Sequence, residues 1–171
     1  MIYMNAQIIY YSKYGSTKEI AHSIQEKLGA EHICDVRDLS DISVDLLIIG
    51  SSIYKETSHK EILRLLKDND RLKDKAVALF VVCLSRKIVK TPTRDVGGPV
   101  YLRQLEEALG RQSIATQIFG GRMIPAEMEE EERINTEIEC QKRGMPFGDI
   151  DLMNEQEVDE FVSIIKAGLK R

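Results

Sequence analysis

The chain has 171 residues, 43% of them hydrophobic and 30% charged, a balance that can bury a core and excludes the class of chains too polar to fold. Its net charge of −4 argues against a general nucleic-acid binder, which needs an excess of Lys and Arg to displace the counterions of phosphates. No apolar run approaches the ~20 residues of a membrane span and no leader pattern opens the chain, so the expectation is a cytoplasmic protein of one domain over residues 1–171, with small molecules or proteins as partners.

Ala6 to Tyr11 is a short apolar run halted by Ser-Lys-Tyr-Gly, the pattern of a buried strand. From Thr17 the period changes: Ile20, Ala21, Ile24 and Leu28 share a helical face, with Gly29 as the stop. His32 to Val36 and Val44 to Gly50 read as the second and third strands, and Ile62, Leu65 and Leu66 mark a second helix. Ala76 to Cys83 is the longest apolar run, rich in β-branched residues, and is predicted as the middle strand, buried on both faces. Leu102, Leu105, Ala108 and Leu109 mark a further helix, Ser113 to Phe119 a fifth strand, and Val158, Phe161, Val162, Ile165 and Leu169 a closing helix.

Five strands alternating with helices imply parallel pairing and right-handed crossovers. The fold class is therefore α/β, a doubly wound five-stranded parallel sheet in a three-layer α/β/α sandwich. Such sheets bind ligands beyond the carboxyl ends of the strands, which singles out the loops after strands one, three and four.

The first of these loops reads Ser12-Lys13-Tyr14-Gly15-Ser16-Thr17. It brings hydroxyl side chains and a run of backbone N–H groups to the start of a helix, an anion site. Gly15 permits a tight turn, Ser16 and Thr17 can donate to phosphate oxygens, and Lys13 is the one formal counter-charge. Ser16 as a plain helix cap is the competing reading. Neither G-x-x-x-x-G-K-[ST] nor G-x-G-x-x-G occurs, which leaves a phosphate monoester ahead of triphosphates and dinucleotides. Cys34, Cys83 and Cys140 are scattered and never form C-x-x-C, so free thiols and no metal are expected. His22 and His59 fall on predicted helices and His32 at a strand start, without partners at catalytic spacing. No catalytic acid, base or nucleophile is assigned from the chain.

With Ser12, Gly15 and Thr17 in place, the loop resembles the [ST]-x-[ST]-G-x-T form of the flavodoxin family, Tyr14 standing where a hydroxyl residue is usual. The blocks YYSKYGSTKEIA, IIGSSIYKETSHKEI and FVVCLSRKIVKTP are closer still to the flavodoxin-like subgroup that includes bacterial protoporphyrinogen dehydrogenases. This resemblance implies a flavodoxin-like fold with FMN as cofactor. It places Ser51, Ser52, Ile53 and Tyr54 around the flavin ring, Tyr54 stacking on it, with Leu84 and Ser85 on the other side.

Two features depart from plain loops. Ser85 to Asp95 carries Arg86, Lys87, Lys90 and Arg94 against one acid, and the stretch AEMEEEERINTEIECQKR, inside an insertion at about 122–148, has seven Glu against three basic residues. As a helix the latter shows only a thin apolar stripe of Met128, Ile134 and Ile138 and is expected to face mostly water. It also reads as a docking surface for a redox partner protein, or as a homodimer interface over the flavin. Three functional readings stand open: an FMN-dependent electron carrier or oxidoreductase with a small-molecule acceptor, a protoporphyrinogen dehydrogenase-like enzyme, and an interaction module without cofactor.

Overall fold

A computed structural model describes residues 4–170. β1 (Met4–Tyr11) leads through the turn into α1 (Ser16–Leu28), then β2 (Ala30–Asp35) and β3 (Leu46–Tyr54), which folds back as β4 (Thr57–Ser58). α2 (Lys60–Leu66), α3 (Asn69–Leu72) and β5 (Ala76–Cys83) follow, then a small hairpin of β6 (Val89–Lys90) and β7 (Asp95–Val96). α4 (Gly98–Leu109) and β8 (Ala115–Gly120) precede the insertion, where β9 (Arg122–Met123), α5 (Glu130–Lys142) and β10 (Ile150–Asp151) lead to α6 (Glu155–Gly168).

The main sheet has the order β2-β1-β3-β5-β8, all parallel, with Ile8 level with Ile48, Ile48 with Ala78 and Ala78 with Ala115. Successive side chains alternate across the sheet. Ile8, Tyr10, Ile48, Phe80 and Phe119 pack under α1 and α6, and Ile9, Leu47, Ile49, Leu79 and Val81 under α2 and α4. Helices thus cover both faces, the doubly wound arrangement expected.

Phe80, Phe119 and Phe161 meet edge to face, Phe119 lying 5.7 Å from each of the other two centroids. Gly50 makes room for this cluster: a Cβ there would lie 2.0 Å from Phe80 Cζ.

Four expectations are corrected. The middle strand is β3, with β5 beside it; both have parallel neighbours on each edge and helices on each face, so an apolar run cannot tell them apart. The third strand does not stop at Gly50 but continues through Ser51-Ser52-Ile53-Tyr54 into a hairpin, Tyr54 pairing with Thr57. Leu169 lies just past α6 and is exposed. His59 is the N-cap of α2, its Nδ1 accepting from Glu61 N–H, so it precedes the helix.

The insertion leaves the sheet at Arg122 and returns at Asp151, these two residues pairing antiparallel. Among the described residues no helix is long and apolar enough to cross a membrane, and no cluster of His, Cys, Asp and Glu is suited to a metal. All three cysteines are free thiols, and burial pushes Cys83 up to about 12, an unreactive state.

Candidate functional site

The carboxyl ends of β1, β3 and β5 open onto one rim, at the point where the chain, having gone from β1 out to β2, reverses to β3. The turn after β1 adopts its anion-binding shape locally. Gly15 sits at φ 99°, in the left-handed region that favours glycine, and caps α1 without a side-chain bond. Its N–H is held by Ser12 Oγ at 3.1 Å. The first α-helical bond is Glu19 N to Gly15 O, so the N–H groups of Ser16, Thr17 and Lys18 have no helix carbonyl behind them. Ser16 is not the cap; its hydroxyl accepts from Arg122 N–H at 3.1 Å and ties the turn to the insertion.

Ser12, Lys13, Tyr14, Ser16, Thr17, Ser52, Ile53, Tyr54 and Leu84 share one cleft of about 100 Å³, which continues past Tyr54 and Leu84 into a second of about 240 Å³. Together they reach the low end of the roughly 300–1,000 Å³ of small-molecule sites. Two hydroxyls in the first cleft, Thr17 Oγ1 and Ser52 Oγ, are buried without a hydrogen-bond partner, and Thr17 is only 1% exposed. A buried hydroxyl without a partner costs stability; Ser58 Oγ and Glu157 Oε2 also lack partners, but of these four atoms only those of Thr17 and Ser52 belong to residues lining the cleft.

Of the remaining predicted residues, Gly15 shapes the backbone. Ser51 lies behind the site: wholly buried, it donates to Ser52 O at 2.8 Å and accepts from His59 N–H at 2.9 Å. Ser85 likewise serves the loop, its carbonyl accepting from Gly98 N–H. His59 stacks on Tyr11 with centroids 3.5 Å apart, and burial holds it below the ordinary histidine value.

Lys13 departs most from expectation. Its ammonium is 3.9 Å from the Tyr54 ring centroid, paired with Glu132 at 3.0 Å and Glu129 at 3.5 Å. Burial acts to lower this lysine, but the hydrogen bond and charge of Glu132 outweigh it and raise it above the usual value. The Tyr14 hydroxyl also donates to Glu132 and accepts from Glu129 N–H at 3.3 Å. The acidic helix α5 is mostly exposed as predicted, with Ile134 and Ile138 open to water. Glu132, however, turns inward and lines both clefts, and no local signal in the sequence distinguishes it from its three neighbouring glutamates.

The rim of the second cleft rests on a strained turn. Lys55 and Glu56 both have positive φ, 48° and 61°, the shape of a two-residue hairpin usually built from Asn and Gly. Glu56 is held from two sides, by Arg94 of the basic loop at 2.7 Å and Arg143 at the end of α5 at 3.1 Å. Burial acts to raise its carboxyl, but the two guanidiniums prevail and hold it below the usual range.

A larger hollow of about 380 Å³ lies at the opposite rim, near Ser40, Asp41, Asp70 and Lys73. Two of its cations are spent on backbone carbonyls, Arg71 on Ser40 and Lys75 on Val44.

Comparison with known proteins agrees with this fold. The model of one family, described as a flavodoxin domain, matches residues 7–141. A flavodoxin from the domain Archaea superposes with a TM-score of 0.53 at 12% identity, over 97% of this chain and 99% of that one. A flavoprotein in complex with FMN from Lactobacillus acidophilus gives 0.51 at 17%, over 67% and 93%. A flavo-diiron protein from Thermotoga maritima gives 0.56 at 16%, covering 96% of this chain and 36% of that longer one. At such identities the likeness is one of fold. A comparison with curated proteins finds no match.

Proposed function

The chain belongs to the flavodoxin domain family, and on that premise we propose that it binds FMN and acts in redox chemistry, as an electron carrier or as an oxidoreductase on a small substrate. What carries the reading is the pair of buried hydroxyls without partners, Thr17 Oγ1 and Ser52 Oγ, in a cleft headed by a helix N-terminus. The N–H groups of Ser16, Thr17 and Lys18 and the Thr17 hydroxyl hold the phosphate monoester, a dianion suited to the positive end of α1. Ser12 keeps the turn closed through Gly15 N–H. Ser52, Ile53 and Tyr54 extend from β3 along the rest of the cofactor, Tyr54 offering the aromatic plane and Leu84 an apolar wall.

FMN supplies the electron chemistry when bound, and the protein supplies orientation, water exclusion and electrostatics. Leu84, Met123, Ile124 and Met128 give the second cleft an apolar lining, while Lys55, Glu127 and Glu132 bring charges of both signs to it.

The test is the visible spectrum of the purified protein, followed by FMN titration. Flavin absorption, or uptake of added FMN, supports the reading; a colourless protein that ignores FMN overturns it and favours a cofactor-free interaction module. Thr17→Val sharpens the result. Removing a buried hydroxyl with no protein partner leaves stability unchanged or raised, while FMN affinity falls about tenfold, the scale of one hydrogen bond to a charged group.

A further inference from the structure

Lys13 was expected to balance the phosphate and lines the cleft beside Ser16 and Thr17, yet its ammonium turns to Tyr54. It rests over the face of Tyr54 at 3.9 Å, farther from the ring of its neighbour Tyr14 at 5.3 Å. Glu132 is the reason. It reaches Lys13 at 3.0 Å with a side chain only 16% exposed, while the second partner, Glu129, is 71% exposed and 3.5 Å away. The screened, more distant pair contributes little; the half-buried one governs where the ammonium sits. α5 is not brought there by packing, since Cys140 is its one buried residue.

On the reading of this cleft as an FMN site, we propose that Glu132 is a positioning residue: it holds Lys13 over Tyr54, directing that charge to the ring end of the cofactor and leaving the phosphate to neutral donors. The turn has enough N–H and hydroxyl donors to hold a phosphate without a cation, and the cation it does possess is held 3.9 Å from the centroid of Tyr54, the side chain assigned to the ring end. At that place Lys13 offsets the carboxylates of Glu132 and Glu129, which would otherwise disfavour the electron-rich state of a bound flavin. A cation at the phosphate adds to affinity alone.

FMN and riboflavin, which lacks the phosphate, separate these roles. In the full-length protein Lys13→Met is expected to weaken both ligands by the same factor, leaving their affinity ratio unchanged, and to shift the reduction potential of bound FMN to more negative values. Glu132→Gln frees the lysine to reach the phosphate, so the FMN-to-riboflavin ratio rises by about tenfold, the scale of one charge-assisted bond. Lys13→Met combined with Glu132→Gln returns the ratio to that of the unaltered protein. A purely structural Glu132 would alter melting temperature and not this lysine-dependent ratio; Glu132→Ala serves as a second variant, with circular dichroism as the folding control.

Loss of FMN but not riboflavin affinity in Lys13→Met would place the lysine on the phosphate and overturn the proposal while leaving FMN binding intact. An unchanged ratio in both Glu132 variants overturns it as well. If the unaltered protein takes up neither flavin, the proposal and the FMN reading fall together.

Discussion

The turn Ser12–Thr17 and the helix α5 meet at the same cleft, yet different forces hold them there. The turn is fixed by its neighbours in sequence: a buried strand behind it, Gly15 at φ 99°, and an amphipathic helix whose Ile20, Ala21, Ile24 and Leu28 are packed under the sheet. α5 has almost no buried face and is docked by charge, through Glu132 and Glu129 to Lys13 at one end and Arg143 to Glu56 at the other. Hydrophobic packing does not depend on the ionisation of its side chains, whereas the exposed ion pairs here, such as Lys13 with Glu129, are worth up to about 1 kcal/mol each and are screened. One wall of the cleft is therefore permanent and the other is conditional.

The comparison breaks first if the packed half tolerates disturbance. Gly50→Ala would set a Cβ 2.0 Å from the Phe80 ring, and overpacking of this kind costs about 3 kcal/mol. Ile134→Ser on exposed α5 is expected to change stability by less than about 0.5 kcal/mol. Urea unfolding of both variants decides it, and comparable losses would show α5 to be part of the core.

Next in size is a contrast within the cleft. Tyr54→Ala should weaken FMN binding by about tenfold, as loss of an aromatic face of roughly 1.5 kcal/mol implies. Leu84→Ala, a half-exposed aliphatic wall, should weaken it far less. Equal affinities by fluorescence titration would remove Tyr54 from its stacking role.

The smallest effect is the most diagnostic of the conditional wall. Because the guanidiniums of Arg94 and Arg143 hold Glu56 below the ordinary carboxylate value of 4.5, the bridge contributes fully above that value and is lost as pH falls through the lowered one. Limited proteolysis between Glu127 and Gly148 should therefore increase with acidification and with added salt. Glu56→Gln should start from the faster rate and lose part of the dependence on acid; identical profiles for the two proteins would show that Glu56 does not anchor the insertion.

Legibility from sequence follows the same division. The strands and helices of the sandwich were readable because burial on both faces forces apolar runs and helical stripes, as in Ala76–Cys83 and Val158–Ile165. Strand order was not, since an apolar run marks burial on both faces, which β3 and β5 share, and not a place in the sheet. The hairpin after Tyr54 went unread because Lys55 and Glu56 are not turn residues by type; ion pairs with Arg94 and Arg143, distant in sequence, accompany their left-handed backbone.

By itself the sequence determined the α/β class and the glycine turn at the start of α1, which rest on local periodicity and on residues adjacent in the chain, while the segments expected around a cofactor came from a family resemblance. Only the tertiary structure decided that Ser51 faces inward, that Thr17 and Ser52 hold unpaired hydroxyls in the cleft, and that Glu132 pairs with Lys13. Glu132 and Tyr14 are 118 residues apart, and a charge carries no periodicity that would announce such a partner. Its position becomes known only when the chain has closed on itself.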